Sequence, residues 1–389
     1  MASDDMLLIG VDGGATEIKA HAVACDPPSA PAAFRLRPEG ASRLYPDAPD
    51  FQPLSVADQL RERDAGRPDL TSAESALGAQ WVAAATEAIA DVARQCGARR
   101  VGVGIGMPGL KTADGRGIAV INNGPRIPDY LDQLERGLAA AGLDLVAPIA
   151  ALGSDADYCG MGEEHAEAGR FRDVDHAYYC GGGTGIADAL KLDGRLLPMD
   201  LAKPWLMKSW QMPSVAGATF EKLVSASGLN RVYAELRSGT DRGDAFPEAA
   251  ARAGDPIARA WLQAAALILA ELLFERLVTI HSGRSAAPHR GAGYAKLDPQ
   301  HPYRGRVLQR VIIGQRIGVI YADDAYRPFF GAPLDACLAR LIAESDRHAL
   351  AVCLAPDGTG LRPGFLQASR LRAAPAIGAA VAAMRAGRG

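Results

Sequence analysis

Apolar residues at 7, 8, 9 and 11 make a short run that stops at Asp12, Gly13 and Gly14. A run of that length against glycines predicts a buried strand entering a turn. The stretch 18–24 (IKAHAVA) resumes the apolar character and predicts the return arm of a hairpin. Residues 26–75 are rich in Pro, Asp, Arg and Ser and show little periodicity. They predict a third strand at 34–36 and otherwise a long surface excursion, either functional or mobile. From 75 to 96, apolar residues recur three to four apart, which predicts a helix stopped by Gly97. Strands follow at 101–106 and 145–149, with a helix at 129–141 between them and another from 156 to about 168. The pattern then begins again. A strand at 177–180 meets Gly181, Gly182, Gly183, Thr184 and Gly185, and a hairpin at 187–197 turns on Asp193-Gly194. Residues 215–280 are mainly helical, 311–314 is a late strand, and 376–384 is a closing Ala-rich helix. Strands with a glycine hairpin, followed by helices, thus occur twice. The arrangement predicts two related α/β lobes facing a central cleft. The first spans 1–150 and takes back the C-terminal helix, 373–389; the second spans 151–372.

Composition narrows the possible functions. Of 389 residues, 48% are hydrophobic and 22% charged, as in a globular chain with a large core. Lys+Arg is 42 against Asp+Glu 45, so the positive excess needed for non-specific binding to nucleic acid or anionic membranes is missing. The apolar helix around 258–280 is interrupted by Arg259, Gln263, Glu271, Glu275 and Arg276, so it reads as a core helix and not a membrane span. The start of the chain lacks the basic region of a signal peptide. Six cysteines without C-x-x-C spacing suggest reduced thiols in a cytoplasmic protein.

The two glycine turns carry the candidate chemistry. Without Cβ atoms, their amides are open to phosphate oxygens. Asp12 adds a carboxylate suited to Mg²⁺, directly or through water, and Thr16 adds a hydroxyl. Gly183, Thr184 and Gly185 offer a matching cradle in the second half. Each turn alone is also what a plain hairpin needs; the pair, in order, suggests a clamp for nucleotide phosphates. There is no P-loop sequence and no G-x-G-x-x-G opening a helix. Asp155, behind a strand and Gly153, suits a general base and equally suits a helix N-cap. Asp157 fits a substrate ligand or a first-turn charge. Asn122 and Asn123 suit hydroxyl recognition, or simply an Asn-Gly-Pro turn.

The segment GVDGGATEIK, from Gly10 to Lys19, resembles the first phosphate motif of the ROK family of sugar kinases, within the actin-like ATPase superfamily. GIGMPG, ending at Gly109, resembles that family's G-[IV]-G-x-P-G segment. Ser154-Asp155-Ala156-Asp157 stands at its N-D-A-N, and Gly183-Thr184-Gly185-Ile186 at its second phosphate motif. The strand ending at Gly314 resembles the one before the adenosine loop, and 376–380 the final helix. The resemblance spans most of the chain and is weak from 281 to 372. It implies a two-lobed actin-like ATPase (ribonuclease H-like) α/β fold and an ATP- and Mg²⁺-dependent kinase acting on a hydroxyl of a sugar, aminosugar or cyclitol. It makes Asp155 the base. It assigns nucleotide phosphates and Mg²⁺ to Asp12, Gly13, Gly14, Thr16, Lys19, Gly183, Thr184 and Gly185, and the adenosine to Gly314. The acceptor falls to Gly109, Asn122, Asn123, Ser154 and Asp157. The family's homodimer is compatible with the chain, though no interface is legible.

The chain also departs from the family. The E-x-G-H that grips sugar hydroxyls is missing, and Lys203, Trp205, Lys208 and Trp210 occupy that region. The zinc motif is missing, so no structural zinc is expected. His281, His289 and His301 lie in a Pro/Gly/Arg-rich segment read as surface loop. Gln315 and Arg316 replace an expected double glycine. The alternative is a nucleotide- or sugar-binding relative without kinase activity, such as a regulator. The family's repressors carry an N-terminal helix-turn-helix, for which a first strand at residue 7 leaves no room.

Overall fold

The computed structural model describes residues 6–26, 33–49, 51–66, 68–122, 124–237, 246–284, 286 and 293–387. The chain divides into two compact units, 1–169 with 373–389, and 170–372.

The first unit runs β1 (Leu7–Gly13), β2 (Glu17–Cys25), β3 (Phe34–Leu44), α1 (Val56–Asp64), α2 (Ser72–Gln95), β4 (Arg100–Met107), β5 (Leu110–Lys111), β6 (Ile118–Val120), α3 (Tyr130–Ala140), β7 (Asp144–Leu145), β8 (Gly153–Ser154) and α4 (Asp155–His165). Its main sheet has the order β3-β2-β1-β4-β7, with β8 also beside β4. The second unit runs β9 (Ala177–Gly182), β10 (Ile186–Leu192), β11 (Arg195–Leu197), α5 (Met199–Ala202), α6 (Phe220–Val224), α7 (Ala226–Leu236), α8 (Pro247–Arg252), α9 (Pro256–Ser282), β12 (Arg310–Gly314), α10 (Gln315–Ala322), α11 (Ala332–Ala343), α12 (His348–Leu354) and β13 (Leu366–Ala368). Its sheet order is β11-β10-β9-β12-β13. In both sheets two antiparallel pairings are followed by two parallel ones. The duplication expected from the hairpins is therefore present strand for strand.

The central strands are buried along nearly their whole length, as strands covered on both faces must be. The cover of the first sheet includes α13 (Ala374–Ala386), which returns from the end of the chain. It lies unusually close. A Cβ on Gly10 would overlap the Ala376 carbonyl, and one on Gly104 the Ala379 carbonyl. Gly104→Ala should therefore destabilise the protein by about 2–3 kcal/mol, the range of core overpacking. Gly360, whose Cβ direction is empty, is the control and should change little. Denaturant unfolding of the two variants checks this.

Four expectations are corrected. The boundary falls after residue 169, not 150. The reason is that β8 pairs with β4 at Gly106↔Gly153, while Gly162 of α4 abuts Ala374 of α13, tying α4 to the first unit. The strand at 145–149 shrinks to β7, because Pro148 lacks the amide that a longer ladder needs. The helix that opens at Asp155 stops at His165, short of 168. Ala166 turns extended to bridge Phe34, and the Glu167 amide donates to the Phe34 carbonyl. Finally, the 26–75 excursion is more ordered than its composition suggests. β3 runs on to Leu44, and α1 follows, capped by Ser55.

α9 is apolar and long enough to cross a membrane, yet its residues from Ala258 to Ile280 are largely buried in the second unit. Its Arg276 turns inward to meet Asp188, Ser209 and Tyr178. Asp255 caps its start and Gly283, in the left-handed region, its end.

Candidate active site

In the first unit the strand register places two acids at one edge of the sheet. Asp12, near the end of β1, stands opposite Gly106 on β4, and Gly106 stands opposite Gly153 on β8. Asp155 follows at the first turn of α4. Gly106 lies between them with no side chain, and the Asp155 backbone comes within 3.4 Å of where its Cβ would be. Both acids thus lie at the carboxyl ends of parallel strands, where sites in α/β sheets concentrate.

The cap of α4 falls to the residue before Asp155. The N-cap is Ser154, whose hydroxyl accepts from the Asp157 amide at 3.3 Å. The Asp155 carboxylate makes no hydrogen bond or ion pair to a described residue. A half-buried acid left out of its own helix cap is available for chemistry. Asp157 is half-buried one turn in and engaged with neighbours.

Asp12 is half-buried at the surface yet closely surrounded by protein. Its carboxyl is raised to about 6, chiefly by desolvation and next by the Asp155 charge, while the Lys19 ammonium opposes both. Lys19 is the cross-strand neighbour of Asp12 and also pairs with Glu17 at 2.6 Å. A carboxylate crowded by a second acid suits a divalent ion. Mg²⁺ is usually held by one or two carboxylates, with water and phosphate completing its shell. Asp12, with the Asp155 charge beside it, therefore fits Mg²⁺.

The first glycine turn is narrower in its options than its sequence suggests. Gly13 is favoured by packing, since a Cβ there would lie 2.9 Å from the Gly106 carbonyl oxygen as well as on the Met107 sulfur. The Gly14 amide closes the turn by donating to the Glu17 carbonyl at 2.9 Å. The Ala15 and Thr16 amides and the Thr16 hydroxyl make no hydrogen bond to a described residue, so they are the donors left for an anion.

Of the acceptor candidates, Gly109 turns the chain at φ 87°, and Lys111 holds that turn by donating to the Met107 and Gly109 carbonyls at 2.6 and 2.8 Å. Asn122 is exposed; Asn123 lies outside the described residues. The stretch around Asn122 is pinned by residues that carry no motif or turn signal in the sequence. Buried Gln59 of α1 accepts from the Ile121 amide at 2.8 Å and donates to its carbonyl at 2.9 Å, as a peptide group would. Buried Arg126 pairs with Glu74 at 2.8 Å and also with Glu62. Tyr45 donates its amide to the Thr16 carbonyl and stacks on Trp81 at 3.9 Å. Gln59→Leu would leave the Ile121 amide and carbonyl unpaired, at a cost of about 2–4 kcal/mol. Gln59→Glu, which sets a buried carboxylate against the Ile121 carbonyl, should cost at least as much at neutral pH; thermal unfolding of both variants tests this.

In the second unit, Gly183, Thr184 and Gly185 form the turn between β9 and β10. Gly183 donates to the Gly185 carbonyl at 3.0 Å, and Thr184 is exposed. The Gly183 carbonyl accepts from the Ala226 amide at 2.8 Å. The Ile186 amide donates to the Glu221 carboxylate at 3.0 Å. Gln315 follows β12 with φ 55°, uncommon for a side chain with a Cβ, and its amide group lies 2.6 Å from where a Gly183 Cβ would be. The Tyr179 hydroxyl fills the Cβ direction of Gly314. Arg316 is drawn away into a bidentate pair with Glu248 and stacks on Phe246.

No family model and no curated protein matches the sequence. Solved structures do match over nearly the whole chain. A ROK-family glucokinase from Streptomyces griseus, solved with glucose and AMPPNP, superposes with TM-score 0.57 at 17% identity, covering 97% of this chain and 99% of that one. A ROK hexokinase from Thermus thermophilus gives 0.51 at 19% identity, with 98% of each chain covered. A ROK-family transcriptional regulator, a homologue of the E. coli MLC protein, gives 0.53 at 13%, covering 99% of this chain and 81% of that one. The chain has the ROK fold. At these identities the likeness is one of fold.

Within this ROK fold the region lacking E-x-G-H is anchored in another way. Buried Asp188 accepts from the Ser209 amide at 2.9 Å and hydroxyl at 2.6 Å, and Arg276 donates to the same hydroxyl at 2.9 Å. Lys203 and Lys208 both pair with Asp200, at 2.7 and 3.0 Å, as solvated charges do. Trp205 is a core residue stacked on His301 at 4.2 Å, whereas Trp210 is half exposed. His301 is therefore buried and not part of a surface loop, and its burial lowers its pKa. His281 is partly buried, and His289 lies outside the described residues.

Proposed function

We propose that the chain is an ATP- and Mg²⁺-dependent kinase that phosphorylates an alcohol group of a sugar or sugar-like polyol. The observation that carries this reading is the Asp155 carboxylate. It is half-buried, absent from its helix cap, and close enough to Asp12 for its charge to raise that group. The ROK fold supports the choice of reaction class, as two of the compared proteins are sugar kinases.

In this reading Asp155 accepts the proton of the acceptor hydroxyl as that oxygen becomes the nucleophile. Asp12 holds the metal ion, which when bound would neutralise charge on the transferring phosphoryl group. The open amides of Ala15 and Thr16, with the Thr16 hydroxyl, take phosphate oxygens, and Lys19 tunes the charge of Asp12. In the second unit, Thr184 and the glycines beside it take the same kind of ligand. Asn122 and Asp157 are proposed acceptor contacts. Gly109 and Ser154 serve as turn and cap that hold those contacts in place. With the usual Glu and His missing, the acceptor departs from a glucose-type pattern, so aminosugars and cyclitols belong in the first screen.

The test is ADP release by the purified chain with ATP and Mg²⁺ across hexoses, aminosugars and cyclitols. The reading predicts acceptor-dependent turnover with at least one of them. Nucleotide binding with no turnover on any acceptor would favour a binding protein instead.

A further inference from the structure

Resting on the reading of 183–185 as a phosphate turn, we infer that Glu221 is the positioning residue that builds that turn. It does so by taking one amide out of play, with its carboxylate seated in the space that Gly185 leaves open.

The amides around the turn divide into two sets. Gly183 is committed to the Gly185 carbonyl at 3.0 Å, and Ile186 to the Glu221 carboxylate at 3.0 Å. Thr184 and Gly185 donate to no described residue, and Thr184 is exposed. An anion arriving at the turn therefore meets two adjacent amides and one hydroxyl. The committed pair on either side fixes their direction. The same Glu221 oxygen that accepts from Ile186 lies 2.6 Å from where a Gly185 Cβ would be. A side chain at 185 would have to push this carboxylate off the Ile186 amide, so glycine there keeps the contact in place.

The turn is also fixed from its other side. Glu221 lies in the first turn of α6, and the next helix, α7, begins with the Ala226 amide donating to the Gly183 carbonyl at 2.8 Å. One short helical corner thus fixes the turn at both Gly183 and Ile186. Placing a carboxylate there has a second consequence. Its negative charge stands behind a site meant for an anion, and the repulsion weakens nucleotide binding. Glu221 shapes the turn through its acceptor oxygen and loosens the ligand through its charge. A glutamine would do the first without the second.

The experiment uses the full chain, with ADP and MgCl₂ as the probe, followed by calorimetry. Glu221→Gln keeps the acceptor and removes the charge, so it should bind ADP at least as tightly as the wild type. It should also bind about tenfold more tightly than Glu221→Ala, the equivalent of one hydrogen bond. Equal affinities of the Gln and Ala variants would overturn the assignment. Amide exchange on the wild-type protein gives a second readout, independent of variant folding. The Ile186 amide should exchange slowly without ligand. Thr184 and Gly185 should exchange fast and become protected when ADP is added. ADP binding that leaves Thr184 and Gly185 unprotected would refute the role of this turn. If the wild type binds no ADP at all, the phosphate reading itself fails, and Glu221 falls with it.

Discussion

Asp155→Ala should lower kcat by about 1,000-fold, within the range for loss of a general base, while KM for ATP changes less than about twofold. The split matters because Asp155 lies outside the phosphate turns. A residue that only shaped the fold would move stability and both KM values. A residue that only bound the acceptor would raise the acceptor KM and spare kcat. Asp155→Asn should be nearly as damaged, since it keeps the shape and loses the basicity. Neither change should melt α4, because Ser154 carries the cap. The substitution has a second visible effect. With the Asp155 charge gone, the Asp12 carboxyl should titrate lower, since that charge is the second contribution to its rise.

Asp12→Asn should cost at least about 100-fold in kcat/KM with Mg²⁺ and ATP, the scale of a lost metal-organising charge. It should also make the ligand-free protein more stable. The sign follows from proton linkage. The Asp12 carboxyl keeps its proton up to about pH 6 in the fold, against an ordinary value of 3.8. Between those values the native state binds more protons than the unfolded chain, so this group's contribution to stability falls as pH rises. At pH 7–8 the ionised Asp12 burdens the fold by about 1–3 kcal/mol, the order implied by a shift of that size. The neutral amide of Asp12→Asn relieves this burden, so the variant should unfold later than wild type at pH 8. The gain should vanish below about pH 4, where Asp12 is largely protonated in the folded and unfolded states. In the wild type, Mg²⁺-dependent activity should fall as pH drops through about 6, because protons and metal compete for one carboxylate. Thermal unfolding across pH with both proteins, without metal or nucleotide, checks the stability side.

The parts of the fold that were legible in the sequence are those specified locally. The β1–β2 hairpin follows from an apolar run against Asp12-Gly13-Gly14. The β10–β11 turn follows from Asp193-Gly194, both of which take positive φ. The burial of α9 follows from inward charges such as Arg276, which no lipid-facing helix would carry. What was not legible depends on partners distant in sequence. α1 is polar and weakly periodic, and its significance lies in Gln59 reaching Ile121, 62 residues away. Glu221 lies 35 residues from the amide it accepts. The packing of Tyr179 on Gly314, far along the chain, is equally invisible in the sequence. The region 281–372 offered little resemblance to the family, so α10, α11, α12 and β13 were not anticipated. Asp155 is the instructive case. Its residue type allowed both base and cap, and the folded chain gives the cap to the Ser154 hydroxyl.

The most direct test of the central claim is ³¹P NMR of the reaction mixture, comparing wild type with Asp155→Ala on whichever polyol releases ADP. The account predicts a phosphate monoester of the acceptor appearing as ATP is consumed, and its near-complete loss in the variant while ATP binding persists. A monoester formed at the wild-type rate by Asp155→Ala, or free phosphate as the only product of the wild type, would contradict it.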